Sequence, residues 1–263
     1  MDIWRGWGQV PVLVVSLAAC NKPTETPKPH PAVQPVVAAP ATPAALPDLK
    51  PTPAKRHTVK SGCKGDDCPV VDLDLVTLGD SALDMLAEKE LAGMSAFFED
   101  KPKPMNSLAE LTARFWKIAR PQWGMWLTSR VVDQHRGVLT LQLDAEIYNG
   151  GAHSVGVTRA LIVDRNQANK RLSLSDLLLP GQAPAFWTLV KQQHARWIKD
   201  NDLADADSVK VWPFIPSDNI ALTTQGVRVK YQNYDIGPYA FGQPEFTVPY
   251  GQLGGILKPD YLR

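Results

Sequence analysis

Val138-Leu139-Thr140-Leu141-Gln142-Leu143-Asp144-Ala145-Glu146-Ile147-Tyr148 is the clearest strand in this chain of 263 residues. Leu139, Leu141, Leu143, Ala145 and Ile147 fall on one side of an extended backbone; Thr140, Gln142, Asp144 and Glu146 fall on the other. Successive side chains of a strand point to opposite faces, so the pattern predicts one buried and one polar face. Arg136-Gly137 before it and Asn149-Gly150-Gly151 after it are turn signals. Residues 125–135 and 154–164 are therefore read as its neighbours in a β-meander.

Working outward, Val71, Leu73 and Leu75 alternate with Asp72 and Asp74, which predicts another half-buried strand. Asp80 or Ser81 then caps a helix reaching about Glu99, with Pro102 and Pro104 as its stop. Ser107 with Glu110 reads as a capping box opening a helix through Arg120. Pro184 opens a third helix, with Phe186, Leu189, Val190, Trp197 and Ile198 as its apolar face. A hairpin follows, from Ile220 to Thr223 and back through Val227, Val229 and Tyr231. Phe246 and Val248 mark a last strand, and residues 250–257 a closing turn or short helix. Helices inserted between antiparallel strands predict an α+β domain, an antiparallel sheet with helices packed on one face.

The start of the chain has a different character. The apolar run from Val10 to Ala19 is far short of the roughly 20 residues of a spanning helix, and suits a signal-peptide core. It closes on Leu17-Ala18-Ala19-Cys20, which reads as a lipobox. Residues 1–19 are thus expected to be removed and Cys20 lipidated. Acyl chains contribute ~0.8 kcal/mol per buried CH2, so two or three make a stable anchor. Asn21 after the cysteine favours the outer membrane, with the domain in the periplasm. Ten prolines between Asn21 and Arg56 mark residues 20–56 as a spacer that buries too little apolar surface to fold. The folded domain is expected over residues 57–263.

Charge sets a further limit. The 28 basic and 27 acidic residues nearly cancel, which leaves no strong field to draw nucleic acid. Cys63 and Cys68 form an even pair in an oxidising compartment, with Gly65-Asp66 suited to the turn between them. A redox dithiol usually has two intervening residues rather than four, and no histidine stands at zinc-ligand spacing, so a structural disulfide is expected. His153 beside a Gly-Gly turn invites a catalytic role. Yet no Gly-x-Ser-x-Gly elbow or triad accompanies it, and the simpler role is fixing the loop by a hydrogen bond. His135, His153 and His194 make no evident metal set. No catalytic residue, metal or cofactor is assigned. Residues 234–245 carry Tyr234, Asp235, Tyr239, Phe241 and Glu245 between Gly and Pro. Such a loop either presents rings to a sugar or protein, or plugs the end of the sheet.

Two segments carry a resemblance. One is Tyr148-Asn149-Gly150-Gly151-Ala152-His153 with Arg171-Leu172-Ser173-Leu174-Ser175-Asp176-Leu177-Leu178. The other is Tyr234-Asp235-Ile236-Gly237-Pro238-Tyr239-Ala240-Phe241-Gly242-Gln243-Pro244-Glu245, ending in Val248-Pro249-Tyr250. Together they resemble the RsiV-like extracytoplasmic domain, found in the lysozyme-sensing anti-sigma factor and in stand-alone envelope proteins. The resemblance spans about residues 70–258. It implies a binding domain in the envelope that grips lysozyme in the sensing member. No counterpart of the family's cytoplasmic anti-sigma segment is expected here, so the resemblance does not imply signalling to a sigma factor. The expected role is a non-enzymatic, lipid-anchored binding protein for lysozyme or peptidoglycan, with Tyr234, Asp235, Tyr239, Phe241, Glu245 and His153 as binding residues. The alternative is a peptidoglycan-acting enzyme or accessory with His153 in its site.

Overall fold

The computed structural model describes residues 46–95, 97, 103 and 105–263. The signal peptide, Cys20 and the spacer as far as residue 45 lie outside the described residues, as do Glu99, Pro102 and Pro104. The main sheet runs β1 (Thr52–Val59), β2 (Val70–Thr77), β3 (Gly124–His135), β4 (Val138–Tyr148), β5 (Val155–Asp164) and β6 (Lys170–Leu172), in that spatial order. As the alternation requires, Leu139, Leu141, Leu143, Ala145 and Ile147 of β4 are all buried. Arg136 (φ 49°) and Gly137 (φ 81°) turn β3 into β4, both left-handed as a two-residue hairpin turn demands.

The architecture is α+β, and the expected antiparallel sheet has one exception. β2 and β3 run parallel, and every other pair is antiparallel. A parallel pair needs a long crossover. Here it holds α1 (Ser81–Met94) and α2 (Leu108–Ile118), which cover one face of the sheet. Asp80 is the N-cap of α1, accepting the Ala82 and Leu83 N–H groups. Ser107 caps α2, but Glu110 reaches back to the N–H of Asn106 rather than to that of Ser107.

Residues 52–56, read as the end of the spacer, belong to β1. The Lys60 N–H donates to Pro69 O. Counting back by twos puts the Pro53 nitrogen on the outer side of an edge strand, where a missing donor costs nothing. Low apolar content therefore hid a strand that needs only one partner.

A second sheet was not separable in the sequence. It holds β7 (Ile220–Leu222), β8 (Gly226–Lys230) and β9 (Glu245–Pro249). Between β6 and this sheet come α3 (Leu174–Leu177), α4 (Ala183–Asp200) and α5 (Ala206–Val211). α4 packs Phe186, Val190 and Ile198 into a second core with Val227, Val229, Tyr231, Phe246 and Val248. β7 lies over β3, β4 and β5 on the face that α1 and α2 leave free. The polar side of β4 is consequently part-covered. Thr140 and Gln142 are buried, and Gln142 accepts a hydrogen bond from Arg228 of β8 at 2.8 Å. Asn219 accepts from the Ala160 N–H and donates to Thr158 O, while Gln232 takes the Thr158 N–H. Buried polar groups are tolerated when paired, and these pairs join the two sheets.

Candidate functional site

Three of the expected binding residues meet at one end of the second sheet. The chain leaves β8 through Gln232–Asp235, a turn closed by Asp235 N–H to Gln232 O at 3.2 Å. The Asp235 carboxylate accepts the Gln232 N–H at 2.7 Å. That turn puts Tyr234 at φ 70°, a region that a bulky side chain rarely adopts. Tyr234 is 54% exposed. Its ring lies 5.6 Å from that of Tyr239, and Tyr239 stacks on His153 with centroids 4.0 Å apart and planes 22° apart. The Tyr239 hydroxyl donates to Ser154 O at 3.2 Å, and His153 Nδ1 donates to the same oxygen at 2.9 Å. The result is a run of three rings held by backbone groups and open to solvent.

The other three residues do different work. Phe241 is 38% exposed and meets the Trp197 ring of α4 edge-on at 5.6 Å, away from the stack. Asp235 is committed to its turn. Glu245 lies 3.6 Å from Arg228 Nη1 and 4.0 Å from Lys230 Nζ, so its charge is matched within the sheet. Burial holds the Lys230 pKa below its ordinary value, against the pull of Asp144 and Glu245. Neither carboxylate is a free anion.

Ser154, Glu146 and Trp126, all outside the expected set, are linked to the rings through one hydrogen bond and one cross-strand pair. The Ser154 hydroxyl donates to Glu146 of β4, and Glu146 pairs across the sheet with Trp126 of β3. Trp126 is 37% exposed. Its signal was present: in residues 124–128, Met125 and Leu127 face the core, so Trp126 must face out.

Chemically, the arrangement offers flat apolar faces edged by hydrogen-bonding groups. His153 Nδ1 is turned to a backbone oxygen and the Ser154 hydroxyl to a carboxylate, so the two do not form a base–nucleophile pair. Among the described residues, no group of three or more His, Cys, Asp or Glu is placed to hold a metal ion. Cys63 and Cys68 are joined, with Cα atoms 5.7 Å apart. Their loop braces the lead-in to β3, because Asp67 O accepts the Gln122 N–H at 2.6 Å.

Comparison with known proteins places the chain. Residues 175–251, which hold α4, the second sheet and Tyr234–Phe241, match a family model described as a protein of unknown function (DUF3298). The structure is similar to that of a DUF3298 family protein from Pseudomonas aeruginosa PAO1. That relative is 35% identical with a TM-score of 0.74, over 83% of this chain and 98% of that one. A DUF3298 member from Bacteroides fragilis NCTC 9343 shares the fold at 18% identity and a TM-score of 0.61, over 80% of this chain and 94% of that one. None of the curated proteins matches. With 35% identity across nearly the whole length of a solved member, the chain belongs to the DUF3298 family.

Proposed function

We propose that this protein is a non-enzymatic binding protein of the bacterial envelope, whose RsiV-like domain takes lysozyme on the surface built by Tyr234, Tyr239 and His153. The observation that carries the reading is the exposed ring stack, with Tyr234 kept in an unfavourable backbone conformation. A non-glycine residue in that region costs on the order of 1–3 kcal/mol, and such cost concentrates where function demands it. Rings fixed before binding lose little entropy on contact, which suits the centre of an interface. Covering ~100 Å² of ring surface contributes ~2.5 kcal/mol. The resemblance of residues 148–153, 171–178 and 234–250 to the lysozyme-sensing domain supports the choice of ligand. The lipobox at Leu17-Ala18-Ala19-Cys20 supports a lipid anchor, which would hold the domain at the outer membrane within reach of incoming wall-degrading enzymes.

Calorimetric titration of the protein with a basic lysozyme, beside an assay of lysozyme activity, tests the reading. Saturable heat, reduced at least tenfold in affinity by Tyr239→Ala, is expected. A flat titration would sink lysozyme as the ligand, and peptidoglycan fragments run in parallel give the comparison. The anchor has its own test. Cys20→Ala should move the protein from the membrane fraction to the soluble one, and an unchanged membrane fraction contradicts lipidation at Cys20.

A further inference from the structure

Two cations of the second sheet are packed against the main sheet without the acceptors that burial calls for. Arg228 and Lys230 alternate with Val227 and Val229 along β8, so the valines enter the second core and the cations turn to the polar face of β4. Their side chains are only 16% and 17% exposed. Arg228 donates through Nη2 to Gln142 at 2.8 Å, while its Nε is buried with no hydrogen-bond partner among the described residues. Lys230 Nζ makes no hydrogen bond among them at all, and its nearest acidic oxygen, Glu245 Oε2, stands 4.0 Å away. A charge so placed costs stability unless something both pairs and bonds it.

The neighbouring carboxylates do not supply those bonds. Asp144 spends both oxygens elsewhere, on Thr158 at 2.6 Å, Arg130 at 2.7 Å, Gln142 at 2.9 Å and Thr128 at 3.3 Å. Glu245 is the ion partner of both cations, 3.6 Å from Arg228 Nη1 and 4.0 Å from Lys230 Nζ, beyond hydrogen-bond range of either. The charged groups that act on Lys230 are Asp144, Glu245, Arg228 and Arg130. With Lys230 itself, three cations face two carboxylates, and one positive charge is left over. Glu245 is 46% exposed and Arg130 60%, so the cluster meets solvent on their side.

We propose that Lys230 and Arg228, with Arg130 at the rim, form a binding site for one carboxylate group of a ligand. One oxygen takes the Lys230 ammonium and the other the Arg228 Nε–H, both as charge-assisted bonds. Burial holds the Lys230 pKa below its ordinary value, and a bound anion restores the charged form. A phosphomonoester carries about −1.5 to −2 charges at pH 7 and would overshoot a surplus of one beside Asp144 and Glu245. A neutral carbonyl brings an acceptor but no charge. The site goes beyond the ring surface. Lys230 ends β8, and the chain runs from it into the turn of Tyr234, so the two are close in sequence. Peptides and acidic sugars both carry a carboxylate, and the probes below separate them.

The test follows the Arg228 Nε–H signal of the ¹⁵N-labelled full chain, identified by its absence in Arg228→Lys. The probes are N-acetylglycine, a peptide-type acid, and N-acetylmuramic acid, a sugar acid. N-acetylglycine amide and N-acetylglucosamine are their neutral controls. A saturable downfield shift with at least one acid, and with neither control, is expected; the tighter acid names the source. Lys230→Met should weaken binding about tenfold, as loss of a charge-assisted contact requires. The same variant without ligand should be as stable as the parent in urea, or more so, because an unbonded ammonium has gone. Glu245→Gln should tighten binding severalfold by removing a competing carboxylate. No saturable shift, equal shifts with the controls, or saturation by sulfate alone overturns the proposal. So does a Lys230→Met protein much less stable than the parent, since Glu245 would then be the partner that the ammonium needs. Lysozyme is absent from these titrations, so their result is independent of whether lysozyme proves to be the ligand.

Discussion

Tyr234 separates a binding surface from a structural plug. Its φ of 70° is one that glycine adopts freely and tyrosine does not. If the ring serves a ligand, Tyr234→Gly should leave the urea midpoint unchanged or raise stability by about 1 kcal/mol, while lysozyme affinity falls. A stability loss above about 2 kcal/mol would instead make the ring a plug for the end of the second sheet. At this scale the sequence was half legible. Gly, Pro and aromatics in residues 234–245 left a presented loop and a plug for the sheet equally open, and Gly150-Gly151 marked His153 as standing beside a turn. That His153 stacks on Tyr239 could not be read, because 85 residues separate Ser154 from the hydroxyl that bonds it. Asp235 and Glu245 looked like free anions because local hydrogen bonds and cross-strand cations are invisible in a linear string.

Elements with one dominant period were legible, and elements defined by their partners were not. β4 and α2 followed from alternation and capping. β1 escaped because an edge strand tolerates Pro53 and needs no apolar pattern. The second sheet escaped because a hairpin pattern says that β7 pairs with β8, not which layer they join. On α4, the helical spacing of Phe186, Val190 and Ile198 also places position 194 inward, yet a histidine there reads as polar. His194 is 6% exposed, with the rings of Trp197, Phe214 and Phe246 centred 5.6–6.4 Å or so from neighbouring rings in the same cluster. Its Nε2 has no hydrogen-bond partner among the described residues. Burial first, then the nearby Lys191 charge, push its pKa below the ordinary 6.5. The unfolded chain therefore gains a proton that the native helix refuses. The contribution of neutral His194 to stability is complete above pH 6.5 and is lost as pH falls from there toward the lowered native value. The urea midpoint should fall between pH 7.5 and pH 5, and His194→Phe should shrink that fall. An equal fall in the variant would show that other groups govern the acid response.

The whole molecule is two cores joined through paired polar groups, and nothing in the sequence announced that join. Alternation in β4 predicted a wet face. Arg228 turned part of it into an interface by bonding Gln142, while Asn219 and Gln232 take backbone groups of Thr158 and Ala160 on β5, hydrogen bonds that water would otherwise make. The disulfide acts at this scale as well, tying residues 63–68 to the lead-in of β3. Closing so short a loop contributes ~2 kcal/mol in the chain-entropy model, so Cys63→Ser/Cys68→Ser should lower unfolding free energy by about that amount in urea titrations. No change would mean that the Asp67–Gln122 contacts hold the loop unaided. The central claim is that lysozyme meets the ring surface. Hydrogen–deuterium exchange of the protein with and without lysozyme tests it most directly. The account predicts slowed exchange in residues 151–157 and 232–243, with α1 and α2 unaffected. Unchanged exchange in both segments, or protection confined to α1 and α2, would contradict it.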